Sequence, residues 1–253
     1  MKASHLRTAL VAVAATLLAS AALAAAESGP TPYPDPKDEA AWPGVGPIRV
    51  FNEWMPKDRQ RFWANREKDR GAIAFVGDSL TGGWDPKQFA ESFKGLKVAN
   101  RGIGGDVSRG VLFRFREDVL DLKPQAVVLC VGSNDLSAHA PPAGIEKNIV
   151  AILDMAQKAE PAVPVVLCTI PPRDAANSPT KPGAQADLNQ RIAKLAAGRE
   201  GVTLLDLFTP MAGPDGKPQA EFVKKDRIHM STAGHAKWAE LVRPILEKLI
   251  AKK

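Results

Sequence analysis

Two cysteines and four histidines are all that 253 residues carry of the side chains most used to staple small folds or hold transition metals. Two cysteines cannot build a framework of several disulfides. Neither they nor the histidines and carboxylates fall at metal-site spacings, so no metal centre is expected. Charge of one sign is also scarce. The formal net charge is +6, and once Lys2 and Arg7 are set aside 32 basic residues face 28 acidic ones. The densest basic stretch, Arg59, Arg61, Arg66, Lys68 and Arg70, is interleaved with Asp58, Glu67 and Asp69. That reads as a solvated helix face, and no nucleic-acid partner is expected. Two glycine signatures are missing. Val107 stands where G-x-G-x-x-G would place its last glycine, which weakens a nucleotide-binding reading and leaves no cofactor expected. Gly-x-Ser-x-Gly, a frequent nucleophile turn of α/β-hydrolases, is absent around Ser79.

The residues that are present suit one large globular domain: 45% are hydrophobic and 25% charged. Residues 1–26 stand apart. Lys2 and Arg7 precede an alanine- and leucine-rich stretch from Ala9 to Ala26, and Ala24 and Ala26 offer a small-x-small cleavage site. This is the pattern of a secretory signal peptide, so an exported protein, periplasmic or secreted, is expected. No stable membrane insertion is expected after cleavage, and no cysteine follows the apolar run to carry a lipid. Residues 27–54 are proline-rich, with Pro30, Pro32, Pro34, Pro36, Pro43 and Pro47, and are expected to be extended and to pack along the domain. The single domain is then residues 55–253. Cys130 and Cys168 each lie inside an apolar run near a strand end, and two buried free thiols are expected there.

Helical spacing predicts a helix from Met55 to Lys68. Apolar runs follow at Ala72 to Val76, Leu96 to Ala99, Ala126 to Val131, Val163 to Ile170 and Val202 to Leu205, separated by amphipathic stretches at about 86–93, 107–121, 142–159 and 184–198. A last amphipathic stretch covers 232–251. Strands alternating with helices imply right-handed crossovers, hence an α/β fold with a five-stranded parallel sheet between two helix layers. In such folds the loops after the strands share one edge, where ligands bind. Those loops carry Gly77-Asp78-Ser79, then Asn100-Arg101-Gly102-Ile103-Gly104-Gly105-Asp106, then Gly132-Ser133-Asn134-Asp135, and finally Asp226-Arg227-Ile228-His229. Acyl transfer needs a nucleophile, a base, an orienter for the base and donors for an oxyanion. Ser79, His229 and Asp226 fit the first three roles. The backbone N–H groups of Ser79 and Gly105 and the side-chain amide of Asn134 fit the last. Taken singly, Ser79 is as well explained as a helix cap. His139 and Arg173 sit in loops at the same edge as possible pocket lining, Trp84 is a pocket wall or core, and Asp78 braces the turn or lines the pocket. His235 reads as structural.

Gly77-Asp78-Ser79-Leu80 resembles the first block of the GDSL, or SGNH, hydrolases. Gly105, Asn134 and Asp226-x-x-His229 match the later blocks in order, and Asn100 to Asp106 followed by Val111-Leu112-Phe113-Arg114 is similar to the platelet-activating-factor acetylhydrolase-like branch. The resemblance covers about residues 70–250. It implies a flavodoxin-like sheet of strand order 2-1-3-4-5, Ser79 as nucleophile, and metal-free esterase activity on small acyl groups, acetyl above all. The expected substrate is a carbohydrate or other small-molecule ester, with lipid or aryl esters as the alternative. A carbohydrate-binding or envelope protein that kept the fold without turnover is the reading from another class.

Overall fold

The computed structural model describes residues 29–174, 176 and 179–251. The expected signal peptide, residues 1–26, lies outside the described residues. Residues up to Pro32 divide off as a separate unit, whose described part, 29–32, has neither helix nor strand. Tyr33–Lys253 form the second unit, to which the rest of the description applies.

Five short strands form its sheet: β1 (Ile73–Gly77), β2 (Val98–Gly102), β3 (Val127–Cys130), β4 (Val165–Cys168) and β5 (Val202–Leu205). They pair parallel in the order β2-β1-β3-β4-β5, the order that the family resemblance implies. Side chains alternate across the sheet, as a period of two requires. Ala74, Val76, Val127, Leu129, Val165 and Leu167 face one core, and Ile73, Phe75, Val128, Cys130, Val166 and Cys168 face the other. The first core is covered by three helices, α5 (Ser108–Asp118), α7 (Pro142–Gln157) and α8 (Ala184–Ala197). The second is covered by α4 (Pro86–Ser92) and α9 (Thr232–Ile250). Two short helices start directly at strand ends, α3 (Ser79–Gly82) after β1 and α6 (Ser133–Ser137) after β3. Cys130 and Cys168 are buried free thiols, one step beyond the Leu129–Leu167 register pair.

Three local expectations shift. The helix read from Met55 to Lys68 is two helices, α1 (Met55–Ala64) and α2 (Arg66–Asp69). The break is at Asn65, whose side-chain amide bonds the Arg61 carbonyl 2.8 Å away; asparagine competes for backbone in this way and ends helices. Strand two runs on through Asn100 and Arg101 because both polar side chains find partners at the sheet edge. The Asn100 amide reaches the Thr81 carbonyl at 2.8 Å, and Arg101 pairs with Asp69 at 2.9 Å. Strand four is shorter, Val165–Cys168.

The proline-rich segment is a packed strap. Arg109 donates to the carbonyls of Pro43, Gly46 and Glu39 at 2.8, 3.0 and 3.1 Å. Asn148 accepts from the N–H of Val45 at 2.9 Å and donates to its carbonyl at 2.8 Å. Tyr33 and Trp42 stack at 5.8 Å, and both lie against Phe113. Proline cannot donate to a sheet, so side chains of the domain satisfy the strap's backbone instead.

Candidate active site

At the end of β1 the chain has no room for a side chain: a Cβ on Gly77 would lie 2.0 Å from the Cys130 carbonyl oxygen. The strand therefore runs tight against β3 to its last residue and delivers Asp78 and Ser79 at the sheet edge. Asp78 Oδ1 caps α3 by accepting from the Leu80 N–H at 2.9 Å. Ser79 is the first residue of that helix and is half-buried. Beneath it, the His235 Nε2 donates to the Leu80 carbonyl at 3.0 Å while its ring stacks on Trp84 at 4.7 Å. Burial lowers the His235 pKa to about 4, outweighing the Leu80 bond, so the ring is neutral near pH 7.

The loop after β2 brings in Gly104 and Gly105. Gly105 has φ +83°, and a Cβ there would strike the Phe51 ring at 2.5 Å; only glycine fits this turn. Asp106, next along, is fully buried, accepts from Arg114 Nε at 2.8 Å and holds the Val107 N–H at 3.0 Å. Its carbonyl accepts from the Asn134 side-chain amide at 2.8 Å. One hydrogen of that amide is thus committed to orientation, leaving the second to reach towards a ligand.

The fourth loop lies between β5 and α9. His229 Nε2 is 2.9 Å from Ser79 Oγ, across 150 residues of sequence. His229 Nδ1 is 2.8 Å from Asp226 Oδ2, and Asp226 Oδ1 accepts the N–H groups of Ile228 and His229 at 2.9 Å each. Burial pushes the Asp226 carboxyl upward, but those backbone bonds and the His229 ring prevail and hold it down at about 2. It is ionised across the neutral range. The turn is pinned at Arg227, which has φ +57° and donates to Asp174 at 3.0 Å.

Ser79, His229, Asp226, Gly105 and Asn134 therefore come together. The other expected pocket residues fare differently. Trp84 is 2% exposed and packs in the core with Phe75 and Trp238. Asp78 is likewise buried, and burial raises its carboxyl to about 7 against the pull of the Leu80 N–H; it braces the turn. Arg173 is buried against α6, donating to the Ser133 carbonyl at 2.6 Å and the Ser137 hydroxyl at 2.9 Å. Its role is to hold the helix that carries Asn134. His139 is exposed in the turn after α6. Conversely, Phe51 and Trp54 of the strap stand against the Gly104–Gly105 turn. No local pattern announces them, because the contact spans 50 residues. A cavity of about 580 Å³ lined by Arg116, Lys123, Met155 and Lys158 opens at the far edge, where strands begin.

A family model described as GDSL-like Lipase/Acylhydrolase family matches residues 75–237, more than half of the chain. The chain is 26% identical over 227 residues to platelet-activating factor acetylhydrolase IB subunit alpha1 of Pongo abelii, covering 89% of this chain and 91% of the relative. A putative acylhydrolase of Bacteroides fragilis superposes with a TM-score of 0.68 at 25% identity, covering 80% of this chain and all of the other. The acetyl xylan esterase AlAXEase superposes with a TM-score of 0.58 at 26% identity, covering 69% and 98%.

Proposed function

Because the chain belongs to the GDSL-like lipase/acylhydrolase family and is a carboxylic ester hydrolase, we propose that it is an exported serine esterase removing short acyl groups, acetyl above all, from carbohydrate esters. The observation that carries the site assignment is the continuous chain Ser79 Oγ to His229 to Asp226, at 2.9 and 2.8 Å. His229 Nε2 takes the hydroxyl proton as Ser79 Oγ bonds to the ester carbonyl carbon. Asp226, ionised, holds the Nδ1 proton and faces the imidazolium that forms. The carbonyl oxygen becomes an oxyanion facing the N–H groups of Ser79 and Gly105 and the Asn134 amide. Collapse breaks the bond to the alcohol oxygen, which leaves with the proton from His229. Water then attacks the acyl-serine, giving its proton to the same nitrogen, and the carboxylic acid is released with Ser79 restored.

A short acyl group is supported by two of the three named relatives, which are described by acetyl chemistry. The acetyl xylan esterase supports a sugar ester; the platelet-activating-factor relatives support a lipid one as the second reading. Export rests on the charged and apolar pattern of residues 1–26.

The test is Ser79→Ala assayed on a short-chain ester, with the wild type labelled by a serine-reactive phosphonate. A loss of kcat/KM of roughly a thousandfold or more, with the label on Ser79, is expected. Full activity in the variant refutes the assignment, and an unlabelled, inactive wild type favours a binding protein.

A further inference from the structure

Trp54 is among the few large apolar side chains left open to solvent, at 40% exposure. It is not loose. Its Nε1 donates to the Gly104 carbonyl at 2.8 Å, and its ring stacks on Phe51 at 4.5 Å and 14°. Phe51 is in turn wedged against the Gly105 turn and Met55, since a Cβ on Gly105 would meet both. The indole is thus backed on one side, tethered at its edge and open on the other. It also shares the Gly104 turn with the nucleophile: a Cβ on Gly104 would lie 3.7 Å from Trp54 Nε1 and 4.0 Å from Ser79 Cβ.

We propose that Trp54 is a positioning residue whose exposed indole face stacks on the sugar ring of the ester, setting its acyl group over Ser79. The inference rests on the carbohydrate-esterase reading above and names the residue that would read the sugar. A pyranose presents a face of C–H bonds that packs on the negative π-face of an aromatic ring while its hydroxyls remain in water. That geometry asks for one flat, rigid, half-open ring. An alkyl chain asks for a slot closed on all sides, which a single supported ring does not supply. The histidine loop that meets Ser79 is polar, with Asp226, Arg227 and Asp174, which suits hydroxyls. The strap thereby acquires a purpose: its bonds to Arg109 and Asn148 carry a ring from outside the sheet to the catalytic edge.

The experiment compares two esters in the full-length wild type, Trp54→Ala and Trp54→Phe. One is a mono-acetylated methyl xyloside; the other is ethyl acetate, which has no ring to stack. For Trp54→Ala, KM for the xyloside is expected to rise about tenfold with kcat changed less than about threefold, while kcat/KM on ethyl acetate is expected to fall by less than about threefold. Trp54→Phe keeps a face but loses the bond to Gly104, and its KM for the xyloside is expected to stay within about threefold of the wild type. Equal losses on both esters would show that the indole only holds the Gly104 turn or the fold, and would overturn the proposal. So would an unchanged xyloside KM in Trp54→Ala. A wild type that cleaves ethyl acetate but no acetylated sugar overturns the carbohydrate reading itself, and the platform with it.

Discussion

The turn that carries Ser79 and the loop that carries His229 meet at one hydrogen bond and are held by opposite means. The serine turn is set by packing. Gly77 touches the backbone of β3, Gly102 lies against Gly82, and Leu80, Trp84 and His235 are buried beneath. The histidine loop is set by polar bonds among half-exposed groups: Asp226 to two N–H groups, Arg227 to Asp174, and Lys224 N–H to the His229 carbonyl. His229 and Asp226 side chains are 41% and 43% exposed. Damage to the first region should therefore cost stability, and damage to the second should cost activity alone.

The largest effect is expected on the loop side. His229→Gln should lower kcat/KM on a short-chain ester by about 10³- to 10⁴-fold and leave the melting temperature within about 2 °C of the wild type. A large drop in Tm would break the contrast. On the packed side, Gly102→Ala places a Cβ 2.2 Å from the Gly82 backbone nitrogen. With no flexible neighbour to yield, it should cost about 3 kcal/mol in urea unfolding at unchanged m. A neutral outcome would mean that β2 and α3 slide apart more easily than their contact suggests.

The smallest expected effect sharpens the same contrast through pH. The His235 pKa is lowered by burial from 6.5 to about 4 in the folded protein. A depressed folded value means that the unfolded chain takes up the proton first. Its contribution to stability is thus whole above pH 6.5 and is lost as pH falls towards 4. The loss should amount to roughly 2 to 3 kcal/mol, read as the difference between the unfolding free energies of the wild type and His235→Gln from pH 7 to 4, since the raised Asp78 carboxyl contributes with the opposite sign in both. Identical slopes would show that the ring under Ser79 is not held neutral.

Much of this was legible in the residues themselves. Apolar runs of strand length alternating with helical spacing lead to a parallel sheet, and reading only the strand ends isolates Ser79, Gly105, Asn134, Asp226 and His229. Where the sequence left alternatives open, the structure chose between them: Asp78 caps the turn, and Trp84 is core, joining Phe75 and Trp238. Adjacent residues point to different places, so proximity along the chain does not assign a residue to a pocket. Strand two ran longer than its apolar run because Asp69 and the Thr81 carbonyl, both distant in sequence, satisfied its polar side chains.

The amino-acid sequence by itself determined the α/β class, the number of strands and the chemistry at their ends, because periodicity, turn glycines and motif letters are local properties. Only the tertiary structure decided which side chains hold the proline-rich strap and that Phe51 and Trp54 end against the Gly104–Gly105 turn. It also decided that the carbonyl of a buried aspartate, Asp106, orients Asn134. Each of these depends on which distant groups satisfy a donor or fill a gap, and that sum over the whole packed molecule is not written in any short stretch of the chain.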